Sequence, residues 1–261
     1  MLGRKWTQRE EDEMNEAFSV ERAIDVFAEG FSFTRSRTHP YLVERIGQMV
    51  RLHDAPRNKK DLRVEEWIAY GVAPSVVDQA ARETTAGRYA ISAICGVNEP
   101  DEPLRAGYKA LGYRLNRTEP FFVHSLHNLL DVTSPATIER VSTQEQNQLL
   151  RSARKSGAIP AEWLQDDSPY RQYLAVIDGQ AVGWVASVTT RYATWCSSMF
   201  VVERFRRQGI AKALLSRMLH DDREHGASAS VLLSSHAGAK LYPLVGYEQI
   251  GTLLLFTPKK C

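Results

Sequence analysis

The chain is short of cysteine, of charge imbalance and of long apolar runs, and each shortage closes a class of function. Its 261 residues hold three cysteines, Cys95, Cys196 and Cys261. They lie far apart, are odd in number and form no Cys-x-x-Cys pair, which argues against a disulfide framework and against a zinc site. No metal is expected. Lysine plus arginine number 33 against 31 aspartate plus glutamate, a formal net charge of +2. Neither half is strongly basic, so nucleic acid is not an expected partner. No window approaches the run of about 18 apolar residues that a membrane helix needs. The opening stretch, MLGRKWTQREEDEMNEAF, is charged and lacks the apolar core of a secretory signal. A reducing, cytoplasmic setting follows as the expectation. Also missing are G-x-x-x-x-G-K-[ST], G-x-G-x-x-G, His-Glu-x-x-His and a G-x-S-x-G elbow, which removes the nucleotide-hydrolase, dinucleotide-binding, zincin and α/β-hydrolase readings.

What is present is ordinary for a soluble globular protein: 43% hydrophobic and 25% charged residues, in a length that fits one large domain or two small ones. In the first half, residues 7–30 read as a helix with Thr7 as cap and Phe18, Ile24 and Phe27 on its apolar side. Residues 32–40 read as a polar loop. Strands are expected at 48–56, 65–72, 89–96 and 118–126. Helices are expected from Pro74 to Gly87 and over 102–113. The Thr-, Ser- and Pro-bearing stretch 129–137 reads as a linker. The second half opens with a strand at 137–141 and a helix capped by Ser142 or Thr143, with Glu145 completing a capping box. Two apolar strands within 173–190 flank Asp178-Gly179, a hairpin turn pair. Further strands are expected at 194–202, 230–235 and 250–258, with a short helix at 238–247.

One internal similarity organises these elements. GYKALGY (107–113) and LYPLVGY (241–247) share Tyr-x-x-x-Gly-Tyr at an offset of 134 residues. A helix and an apolar strand precede each, and another strand follows each. The shared order makes duplication the reading.

FRRQGIAKALLSRML (205–219) carries the chemistry. Ala211, Leu214, Leu215 and Leu219 trace one buried face of a helix. That helix starts on Arg-Arg-Gln-Gly, with no Ser, Thr, Asp or Asn to cap it. A helix start leaves four N–H groups unpaired and carries a partial positive charge. Gly209 lets a ligand approach the backbone, so the stretch reads as a phosphate cradle flanked by Arg206 and Arg207.

FVVERFRRQGIAKALL resembles motif A of the GCN5-related N-acetyltransferases (GNAT). The family pattern, Arg or Gln, two residues, Gly, one residue, then Gly or Ala, matches Arg206-Arg207-Gln208-Gly209-Ile210-Ala211. The family's downstream A-x-x-L-Y leading into G-Y is similar to Ala239-Lys240-Leu241-Tyr242 and Gly246-Tyr247. The resemblance covers about 137–258. It implies an α/β fold of tandem GNAT-like domains, each a mixed, mostly antiparallel sheet flanked by helices. It implies acetyl-CoA as co-substrate, its pyrophosphate held by Arg206, Arg207, Gln208, Gly209, Ile210, Ala211 and Lys212. It implies that Met199, Phe200 and Val201 pair with the pantetheine arm. Tyr242 falls where many members place the general acid for the leaving thiolate. Many members carry an Asn seven residues before that Tyr; here it is Ser235, a shorter hydrogen-bonding side chain.

The bland readings are kept elsewhere. Glu203 reads as an exposed strand-end carboxylate, His236 as a loop histidine and Cys196 as a small buried hydrophobe. The first half has GVAPSVVD (71–78) where a cradle would be, and Pro74 has no N–H to give. The chain therefore divides into residues 1–130, a degenerate copy without cofactor, and 134–261, the acetyl-CoA-binding catalytic domain. The expected reaction is acetyl transfer to an amine of a small molecule or peptide. The alternative is an acyl-CoA sensor without turnover. A homodimer is left open.

Overall fold

The computed structural model describes residues 18–56, 62–154 and 157–259. The first described helix, α1 (Val20–Arg35), starts on Ser19, whose hydroxyl accepts from Arg22 N at 3.2 Å. It ends at Arg35, well past the expected 30, and takes up part of the stretch read as a polar loop. Phe31 and Phe33 are the reason: both pack on the core, and Phe33 stacks on Trp163 at 4.7 Å. That partner is distant in sequence. Thr7 lies outside the described residues.

The first half continues with β1 (Tyr41–Ile46), β2 (Met49–Asp54), β3 (Glu65–Tyr70), α2 (Pro74–Thr84), β4 (Tyr89–Gly96), α3 (Glu102–Ala110) and β5 (Tyr113–His124). Strand β1 escapes a pattern reading because Leu42 to Arg45 are all exposed on this edge, which hides the alternation of a half-buried strand. The second half contains β6 (Thr137–Arg140), α4 (Gln144–Arg154), β7 (Tyr170–Ile177), β8 (Gln180–Thr189), β9 (Thr194–Val201), α5 (Ile210–Glu224), β10 (Ser230–Leu233), α6 (His236–Ala239) and β11 (Glu248–Pro258). The short helix expected over 238–247 is two pieces, α6 and a 3₁₀ turn at Tyr242–Val245. At the start of α4 the capping box is Thr143 with Gln146, not Glu145. The Thr143 hydroxyl accepts from Gln146 N at 3.2 Å, and Gln146 Oε1 accepts from Thr143 N at 3.2 Å. At the β7–β8 hairpin, Asp178 and Gly179 both take positive φ, 48° and 71°.

The described strands form one eleven-stranded sheet in the order β1-β2-β3-β4-β11-β5-β10-β9-β8-β7-β6. The order is nearly palindromic. In the first half β3 and β4 are parallel, and in the second β9 and β10 are. Each parallel pair is followed by an antiparallel strand from the other half: β11 pairs with β4, and β5 pairs with β10. The halves thus exchange their last strands, which also pair with each other from Glu248↔Val123 to Pro258↔Tyr113. The chain crosses at the expected linker, but the sheet does not divide there.

Helix α1 locks the halves on one face of the sheet. Its Phe27 lies 6.4 Å from Phe121 and 5.1 Å from Trp195. A Cβ on Gly30 would come within 2.2 Å of Trp195 Cβ, so only glycine lets the helix sit this close. On the other face, α5 covers β7, β8 and β9 with Ile210, Leu214, Leu215, Met218 and Leu219. Its far end is pinned by Asp222, which accepts 2.7 Å hydrogen bonds from Arg171 Nη2, Ser187 Oγ and Thr194 Oγ1. This buried cluster of β7, β8 and β9 side chains left no mark in the sequence pattern. Burial pushes the Asp222 carboxyl up while Arg171 pulls it down. No described helix is long and apolar enough to cross a membrane.

Candidate functional site

The site is built where β9 hands over to α5. After Val201 the chain makes a 3₁₀ turn at Glu203–Phe205 and reaches Gly209 at φ +80°. Arg207 also takes a positive φ, 65°, a conformation costly for a residue with a side chain. Arg206 ties the loop back on the strand: its Nε donates to Val201 O at 3.0 Å, and its guanidinium lies 5.7 Å from the Phe200 ring centre. The Gly209 carbonyl takes the first helical bond, from Ala213 N at 3.0 Å. No side chain caps this end of α5. The amides of Ile210, Ala211 and Lys212 have no acceptor inside the helix, and the partial positive charge of a helix start lies with them.

The strands above this end come apart. Parallel β9 and β10 pair only at Thr194↔Ser230 and Trp195↔Val231. Beyond that point β9 bulges against β8, with Ser198 at φ +57° and the register passing from Ala186↔Ser197 to Trp184↔Phe200. A bulge bends the strand that carries it. The result is a cleft of about 960 Å³ between β9, the α5 start and the segment from Leu233 to Leu244. Met199, Phe200, Val201, Arg206, Arg207, Gly209, Ile210, Ala211, Lys212, Ser235 and Tyr242 all border it. Gln208 does not; its amide turns to the Arg204 carbonyl at 3.5 Å. Sequence reading missed Ser197 and Ser198, also on the wall, because a bulge has no composition of its own.

Tyr242 opens the 3₁₀ turn that faces this cleft. Its ring is 7% exposed and rests 5.6 Å from Phe122 of β5 and 5.6 Å from Tyr247. Burial pushes its phenol well above the ordinary value, so the hydroxyl keeps its proton at neutral pH. Ser235 borders the cleft while its oxygen caps α6, accepting from Gly238 N at 3.2 Å. His236 lies 2.6 Å from Thr118 Oγ1. Cys196 is buried in the wall, and burial raises its thiol, which makes it a poor nucleophile.

The corresponding place in the first half is shut. Strands β3 and β4 stay paired from Glu65↔Tyr89 to Tyr70↔Ile94. The Pro74 ring at the start of α2 lies against Gly107 of α3, where an added Cβ would meet its Cγ at 2.8 Å.

Residues 168–249 match a family model described as an acetyltransferase (GNAT) domain. The match ends just as β11 leaves for the first half's side of the sheet. Among solved structures, a GCN5-related N-acetyltransferase from Kribbella flavida is similar over 94% of this chain and 98% of its own, at 17% identity and a TM-score of 0.67. A tandem GNAT protein from the clavulanic acid biosynthesis pathway is similar over 95% and 98%, at 13% identity and a TM-score of 0.54. A GCN5-related N-acetyltransferase from Sphaerobacter thermophilus is similar over 91% and 93%, at 15% identity and a TM-score of 0.51. At these identities the likeness is one of fold, and it extends over both halves. A search of curated proteins finds no match to the chain.

Proposed function

With an acetyltransferase (GNAT) domain at residues 168–249 as the premise, we propose that the protein transfers an acetyl group from acetyl-CoA to an amine of a small molecule or peptide. The observation that carries this reading is the convergence of three features on one cleft: an uncapped helix start, a bulged strand edge and a buried, protonated tyrosine. Residues 134–261 supply these parts, and residues 1–130 serve as a scaffold without a cofactor of their own.

The residues fit the co-substrate. The amides of Ile210, Ala211 and Lys212, with Arg206 and Arg207 beside them, hold the pyrophosphate. The edge of β9 from Met199 to Val201 is free of β10 and offers backbone groups to the pantetheine amides. Acetyl-CoA when bound supplies an activated thioester. Tyr242 holds a proton at Oη and delivers it to the departing sulfur. Overall the C–S bond breaks, an N–C bond forms, the amine loses one proton and the thiol gains one.

The test is release of free thiol from acetyl-CoA against a panel of primary amines, run beside calorimetry of CoA binding. Amine-dependent thiol release with CoA binding supports the reading. Tight CoA binding with no release from any amine replaces it with an acyl-CoA sensor.

A further inference from the structure

His124, near the end of β5, is 2% exposed and uses both ring nitrogens. Nδ1 accepts from Leu126 N at 2.8 Å, so Nε2 carries the hydrogen and donates to Val245 O at 3.0 Å. Val245 closes the 3₁₀ turn that Tyr242 opens. The imidazole also meets the Tyr247 ring edge-on, 5.2 Å away at 77°, and Tyr247 in turn backs Tyr242. Gly246 follows Val245 at φ +96°, and a Cβ there would lie 2.7 Å from Nε2. Glycine therefore satisfies two demands at once, the left-handed turn and the close imidazole. Phe122 lies two residues before His124 on the same face of β5 and touches Tyr242 from below.

The repeat gives a control within the chain. At the same 134-residue offset, Phe256 of β11 corresponds to Phe122 and stacks on Tyr108 at 4.4 Å. The counterpart of His124 is Pro258, which has no side-chain hydrogen-bonding group. The tyrosine pairs themselves are alike: Tyr108 to Tyr113 and Tyr242 to Tyr247 are both 5.6 Å apart, at 78° and 76°. The turn is thus held from beneath by a histidine only in the half that has an open cleft.

We propose that His124 is a positioning residue for acyl transfer: from the first half's exchanged strand, it fixes the carbonyl of Val245 and thereby sets where Tyr242 presents its hydroxyl. This rests on the assignment of Tyr242 as proton donor. It also gives the first half a part in the reaction without a cofactor or a substrate contact.

Two substitutions separate the two ring nitrogens. In His124→Gln the side-chain amide reaches as far as Nε2 and can still donate to Val245 O. In His124→Asn the shorter amide reaches only as far as Nδ1 and can still accept from Leu126 N. The full chain is labelled with 3-fluorotyrosine, and the Tyr242 resonance is identified by its loss in Tyr242→Phe. His124→Asn should move that resonance and lower kcat about tenfold, with acetyl-CoA affinity within about twofold. His124→Gln should leave the resonance in place and kcat within about threefold. In the Tyr242→Phe background, His124→Asn should add no further loss. Equal shifts in the Asn and Gln variants, no shift in either, or a full additional loss in the double variant each overturn the proposal. A wild-type protein that turns over no amine would overturn the transferase reading instead, and the fluorine shifts would still decide whether His124 places Tyr242.

Discussion

The two halves of the chain carry the same parts and differ in whether a parallel strand pair opens. In the first half β3 and β4 run together for six paired residues; in the second, β9 and β10 part after two. A bulge with Ser198 at positive φ turns β9 away, while the first half's pair keeps its register. At the mouth, the second half has Gly209 and free amides, and the first has Pro74 pressed on Gly107. The aromatic pairs behind each mouth are almost superposable in geometry. The comparison teaches that the fold alone does not make the site. The cleft of the second half combines a strand bent out of the sheet, a helix start left uncapped and a turn held in place from below.

The largest expected break in this contrast comes from Gly209→Asp. It adds a carboxylate at the helix end proposed to hold the pyrophosphate, and a Cβ at φ +80°. Together these should cost about 3 kcal/mol, at least a hundredfold in CoA affinity. Calorimetry on a variant with native circular dichroism checks it, and unchanged affinity would move the cofactor elsewhere. Tyr242→Phe comes next. Turnover should fall about a hundredfold with CoA affinity preserved. Its repeat counterpart Tyr108→Phe should leave turnover unchanged. The Tyr108 hydroxyl is buried with no partner among the described residues, so removing it should hold or slightly raise the melting temperature.

Gly30→Ala attacks the joint between the halves. Its Cβ would collide with Trp195, and overpacking of this kind costs about 1–3 kcal/mol. Because one sheet spans both halves, urea unfolding should remain a single transition shifted to lower midpoint. Two separate transitions would show that the halves fold independently despite the exchanged strands.

The smallest effect concerns pH. Burial holds the His124 imidazole below its ordinary value of 6.5, with the Val245 carbonyl and then Glu248 opposing that shift and His127 adding to it. Below pH 6.5 the unfolded chain therefore binds a proton that the native chain refuses. Stability should fall with acidification through this window, by at most about 1.4 kcal/mol per pH unit, and level off once the native histidine is protonated. At the repeat position Pro258 contributes nothing of the kind. Chemical denaturation at several pH values checks the slope, and His124→Gln should flatten it. An equal slope in that variant would place its origin in another group.

Much of this protein was legible in its residues because the signals were local. The Asp178-Gly179 hairpin, the face of α5 and the helix start at Gly209 each depend on a few neighbouring positions, and the repeated Tyr-x-x-x-Gly-Tyr announced the duplication. Other elements were hidden because their cause is distant. The end of α1 depends on Trp163, the Asp222 cluster gathers side chains from three strands, and β1 shows no alternation because it sits on an edge.

The sequence by itself determined that one motif recurs 134 residues apart, that a helix in the second half starts on Gly209 without a capping side chain, and that the first half has Pro74 at its corresponding helix start. Period, capping and backbone freedom are properties of short stretches, and a linear reading captures them. Only the tertiary structure decided that the halves trade their last strands, that β9 leaves β10, and that His124 of one half lies under the Tyr242 turn of the other. Strand order and register are chosen by contacts between residues more than a hundred positions apart, and no local pattern along the chain encodes which pairs will meet.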